Sequence, residues 1–178
     1  MKKILLSVLA AILFLILVVL VMAATQPDTF NVQRSATIKA PPEKIFGYIN
    51  DFHNWGAWSP YEKLDPAMKR NISGAASGKG AVYAWDGNSS AGTGTMEITE
   101  STPFSRIVCE LHFTKPFDDR SVAEFTLEPR GESTKVTWAM HGPVNFFGKI
   151  ICVFMSMDSM IGKQFEEGLA NIATLAAK

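Results

Sequence analysis

Four tryptophans, Trp55, Trp58, Trp85 and Trp138, are the side chains in this sequence best suited to holding a ligand. Each offers a large apolar ring with one hydrogen-bonding N–H, the chemistry of a pocket for a ring-containing or long-chain molecule. Filling a core is the competing role. Tyr83, Met96, Leu111, Phe113, Phe125 and Met140 fall on alternating positions of strand-like segments and should share an inward face with Trp85 and Trp138. Trp55 and Trp58 sit near a short helix and would line a cavity mouth or pin that helix to the sheet. These are the candidate binding residues. The eight methionines suit a tolerant pocket, because the thioether chain adapts to varied shapes.

Catalytic chemistry has less support. Asp51 and His53 are a conceivable dyad for removing a proton beside a carbonyl, with histidine as base, but capping and surface roles explain both. His53, His112 and His141 lack the spacing of metal ligands, and there is no CxxC pair or Cys/His cluster, so neither a metal nor a cofactor is expected. Gly78-Lys79-Gly80 lacks the spacing and following Ser or Thr of a phosphate loop, and no GxSxG nucleophile elbow occurs. The inward positions read almost wholly apolar, so no catalytic residue is assigned.

The elements that must position these side chains are legible in order. Val32, Arg34, Ala36 and Ile38 alternate with polar neighbours in a first strand. Pro41-Pro42-Glu43 suits a helix start, and Asn50-Asp51 can end that helix and cap a second short one. Residues 68–73 are a weak strand candidate. Stronger ones follow around Tyr83, Met96, Leu111, Phe125 and Trp138, with turns at Asp86-Gly87-Asn88 and Lys115-Pro116-Phe117. From Met157 the positions Met160, Ile161, Phe165, Leu169, Ile172 and Leu175 keep the spacing of a one-sided helix, the natural cover for the sheet. Residues 146–157 leave almost no polar face, which means burial on several sides or contact with lipid.

Residues 4–24 form an apolar run behind Lys2 and Lys3, long enough to cross the roughly 30 Å of a bilayer core. Residues 1–25 are therefore read as a membrane anchor, with a cleaved signal peptide and a secreted product as the alternative. The flanking lysines place the N-terminus in the cytoplasm and residues 26–178 outside it, on the periplasmic side of an inner membrane. That remainder has the size of one domain. Its 15 basic residues against 17 acidic ones argue against a nucleic-acid partner. Cys109 and Cys152 each lie among apolar residues, which favours free, buried thiols over a disulfide.

The strings Ala40-Pro41-Pro42-Glu43-Lys44-Ile45-Phe46, Trp55-Gly56-Ala57-Trp58-Ser59-Pro60, Tyr83-Ala84-Trp85-Asp86-Gly87-Asn88, Thr134-Lys135-Val136-Thr137-Trp138-Ala139-Met140 and Met157-Asp158-Ser159-Met160-Ile161-Gly162 resemble the polyketide cyclase/dehydratase-like branch of the START/Bet v 1 (SRPBCC) superfamily. The resemblance runs over about residues 30–175. It implies an α+β helix-grip fold, a curved antiparallel sheet wrapped around a long C-terminal helix, with a deep hydrophobic cavity. Members range from lipid carriers to cyclases, so the fold leaves the activity open. The expectation is a membrane-anchored domain that binds a hydrophobic small molecule or lipid unaltered. A cyclase or dehydratase-like enzyme, which needs a polar pair inside the pocket, and an envelope interaction module without ligand are the alternatives.

Overall fold

The structure, a computed structural model, describes residues 2–178. Helix α1 (Lys2–Ala24) contains no glycine, proline or acidic residue, and only Ala23 in it is buried. At 1.5 Å per residue it is about 34 Å long. It is long and apolar enough to cross a membrane, and fits either a membrane anchor or a signal sequence.

Strand β1 (Thr29–Ile38) leads to helix α2 (Pro42–Ile49), which starts on Pro42 as its composition predicts. Two 3₁₀ turns follow, Phe52–Ala57 and Pro60–Lys63. The Asp51 carboxylate caps the first by accepting from the backbone N–H of His53. It also meets the His53 ring at 2.7 Å, on a side chain that is mostly exposed. The remaining strands are β2 (Lys69–Gly74), β3 (Ala81–Asp86), β4 (Thr93–Thr102), β5 (Arg106–Lys115), β6 (Asp119–Arg130) and β7 (Ser133–Pro143). They form one antiparallel sheet in the order β1-β7-β6-β5-β4-β3-β2.

Helices α3 (Phe146–Phe154) and α4 (Met157–Ala176) complete the chain. They are separate helices, because the chain turns extended at Met155 and Ser156 caps a new start through the N–H of Ser159. Helix α4 crosses the concave face and sinks Phe165, Leu169 and Ile172 completely. Arg34 on β1 clamps it from outside, meeting Asp158 at 2.7 Å and Glu166 at 2.6 Å. The fold is the expected helix grip. One reading is corrected: α3 has no buried residue, so its apolar composition does not reflect burial on several sides.

Both cysteines are free. Cys109 points into the core of β5, where burial pushes its thiol up to about 12. An alkylating reagent at neutral pH should therefore label the folded chain once, at half-buried Cys152. A second label, counted by intact mass, should appear only on unfolding.

Candidate functional site

A cavity of about 250 Å³ lies between the sheet, the 3₁₀ turns and α4. Strand register explains its lining. Tyr83, Met96 and Leu111 are opposite one another across β3, β4 and β5 and form one inward row. The next row is Trp85, Gly94 and Phe113. A Cβ at Gly94 would collide with the Trp85 ring and the His112 carbonyl, so glycine lets Trp85 lie across the strand. There it meets Phe113 edge-on at 5.5 Å. Ala123 pairs with Met140 on the floor, and Ile161 and Phe165 of α4 close the far side.

Trp55 and Trp138 also reach the cavity wall, whereas Trp58 and Phe125 sit behind it. Those two belong to a ring cluster at the centre of the core. Trp138 stacks on Phe165 at 4.1 Å and on Phe125 at 4.9 Å, and Trp58 packs edge-on against Trp138 at 5.5 Å. Trp55 donates its N–H to the Ile49 carbonyl and Trp58 to that of Tyr48. The Trp138 N–H is buried without a partner. Gly168 permits the α4 contact, since a Cβ there would strike the Trp138 ring.

The wall is less apolar than its sequence suggests. Ser59 and, in the turn Pro60–Lys63 that follows it, Tyr61 and Glu62 face the cavity. Glu62 accepts from the Tyr83 hydroxyl at 2.5 Å and from Arg70 Nε at 2.5 Å, and Arg70 also donates to the Glu62 backbone carbonyl. Burial first, and then the Glu62 carboxylate, hold the Tyr83 phenol above its ordinary range; burial alone does so for Tyr61. The cavity is thus an apolar chamber with one fixed carboxylate and two neutral phenols on one wall.

This triad ties the 3₁₀ turn to the outer strands. Glu62→Ala should lower the unfolding free energy by about 1–3 kcal/mol, the cost of stripping partners from half-buried polar groups. It should also move the Tyr83 ionisation down toward the ordinary phenol range in an alkaline difference spectrum. The histidines stand apart from the cavity; His112 reaches Asp118 on the outer side at 3.1 Å.

A family model described as polyketide cyclase / dehydrase and lipid transport matches residues 29–177. No curated protein matches the chain. Among solved structures, a Chromobacterium violaceum protein superposes with a TM-score of 0.57 at 16% identity, over 86% of this chain and 99% of its own. A Mesorhizobium loti protein gives 0.58 at 20% identity, over 82% and 96%. One from Nitrosospira multiformis gives 0.58 at 18% identity, over 83% and 96%. At these identities the likeness is one of fold.

Proposed function

Because the chain belongs to the polyketide cyclase / dehydrase and lipid transport family, we propose that its domain holds a hydrophobic small molecule or lipid, unaltered, between the sheet and α4, while α1 tethers it to a membrane. The observation that carries this reading is the chamber itself, walled by Trp85, Phe113, Met96, Leu111 and Met140. An apolar chamber of this kind gains free energy when an apolar ligand replaces water. Trp55, Tyr83 and Trp138 would complete the contacts, and Trp58 and Phe125 would support them from behind. Lys2 and Lys3 favour a cytoplasmic N-terminus, which leaves the domain on the other side of the membrane.

Native mass spectrometry of the full chain, released gently from detergent micelles, tests this reading. A discrete added mass that falls away in Trp85→Ala is the expected result. A bare chain that no lipid extract can shift would sink it and favour an interaction module whose chamber has lost its ligand.

Glu62 and Tyr83 support a second reading, a cyclase or dehydratase-like enzyme, since they supply a polar pair at the wall. The phenol, held neutral, would donate a hydrogen bond to a substrate oxygen on turning away from Glu62. Both carboxylate oxygens of Glu62 are already engaged, which suits positioning better than proton abstraction. Glu62→Gln separates the two readings: a carrier keeps its bound mass, whereas an enzyme converts its ligand only in the parent chain.

A further inference from the structure

Helix α3 follows directly on the end of β7, at the end of the sheet from which α1 departs. The start of β1, the end of β7 and the β5–β6 loop share that end, by strand register. Phe146, Phe147 and Phe154 on α3 are 52%, 50% and 71% exposed, and Phe117 at the tip of the β5–β6 loop is 47% exposed. Phe117 and Phe147 meet with ring centres 4.7 Å apart, so helix and loop make one continuous apolar surface.

That surface continues α1. Helix α3 packs against α1, where one side of the last turns is shielded, Val18 at 36% and Ala23 at 0% exposed, while Val21 on the other side stays 58% exposed. The stretch leaving α1 is fastened to the same place. Asp28 accepts from the Val144 backbone N–H at 2.7 Å and from Lys149 at 2.5 Å. Lys149 is the one charged side chain of α3, and this pairing neutralises it. A short helix of nearly all apolar side chains that flanks the final turns of a candidate spanning helix is placed to meet the bilayer surface.

Behind this surface lies a second hollow, of about 190 Å³, lined by Phe117, Phe147, Ile151 and Met157. Phe113 is a wall of both this hollow and the chamber. Met157 faces the hollow and Ile161, one turn further along α4, faces the chamber. We propose that α3 and Phe117 are seated in the bilayer surface, and that a membrane amphiphile passes from the bilayer into the chamber beside Phe113 and Met157. This rests on the carrier reading above and names the bilayer as the source of the cargo.

The test uses the full chain in phosphatidylcholine nanodiscs. A fluorophore is placed through Phe147→Cys in a Cys152→Ser background, buried Cys109 being unreactive, with Glu132→Cys at the opposite end of the sheet as control. Phosphatidylcholine brominated on its upper acyl carbons should quench the first label and leave the second bright. In parallel, a diazirine-bearing phosphatidylcholine in the nanodisc should crosslink to peptides carrying Tyr83 or Trp85. Phe117→Asp with Phe147→Asp should cut that crosslinking by about tenfold, two exposed apolar anchors having been replaced by charge. The same probe delivered from detergent should label the double variant as well as the parent. Equal brightness of the two labels, or undiminished crosslinking from the nanodisc, would overturn the proposal. If the chamber is labelled by neither delivery, the carrier reading itself fails, and the quenching comparison still decides whether α3 lies in the bilayer.

Discussion

Replacing Trp58 by alanine is expected to cost about 3–5 kcal/mol of unfolding free energy, the range for truncating a large aromatic side chain in a close-packed core. Trp58 is 1% exposed and sits where the first 3₁₀ turn meets the sheet and α4. Its ring touches Trp55, Trp138 and Phe125, at 4.8, 5.5 and 6.1 Å between centres. Its N–H satisfies the Tyr48 carbonyl at the end of α2, and its own carbonyl accepts from Asn171 on α4. Alanine would leave a void bordered by rings that cannot collapse into it and would free the Tyr48 carbonyl. Trp58→Phe keeps most of the packing and should cost about 1–2 kcal/mol. Chemical denaturation of the full chain in micelles, followed by near-ultraviolet circular dichroism, reads both values. A cost below about 1 kcal/mol for alanine would mean that the ring cluster is not the mechanical centre of the fold.

The opposite manipulation should abolish binding and leave the fold standing. Ala123 is 4% exposed and forms part of the chamber floor, opposite Met140 on β7 and Cys109 on β5. Ala123→Phe directs a ring into open space, so the usual strain of overpacking is avoided and the new side chain gains contacts. A chamber of about 250 Å³ loses much of its room. Under the carrier reading, affinity for any cargo that fills the chamber should fall by at least about tenfold, or ~1.4 kcal/mol. The midpoint of thermal unfolding should hold or rise. Titration of the parent and the variant with a fluorescent fatty acid, beside a thermal scan, checks both halves. Unchanged affinity with unchanged stability would place the cargo outside the chamber.

The sheet and α4 were readable in advance because the strands other than exposed β2 keep one apolar face and α4 keeps one apolar stripe, and burial follows such periodicities directly. The rows Tyr83-Met96-Leu111 and Trp85-Gly94-Phe113 are set by register, to which alternation along single strands is only an indirect guide. Three features escaped. Trp55 and Trp58 look alike in sequence, three residues apart beside one short helix, and only packing places Trp55 on the wall and Trp58 behind it. Pro60-Tyr61-Glu62-Lys63 reads as a break, because a 3₁₀ turn of four residues has too little length to show a period; Glu62 was hidden with it. The polar pair needed Arg70 from another strand before a carboxylate there made sense. Finally, the nearly continuous apolar composition of residues 146–157 conceals a capped boundary at Ser156, where one short helix ends and the long one begins.

The fastening of Asp28 to Val144 and Lys149 also bears on how far the domain can travel. Only residues 25–28 separate α1 from β1, and even fully extended they span about 14 Å. With those two bonds in place that slack is taken up, and, where α1 is the anchor proposed above, the chamber turns with it as one body. Under the anchored-carrier reading, a domain held so closely cannot ferry cargo across an aqueous gap to a second membrane. On that reading its working range is a disc of bilayer around α1, and delivery beyond that disc requires a receiver that comes to it.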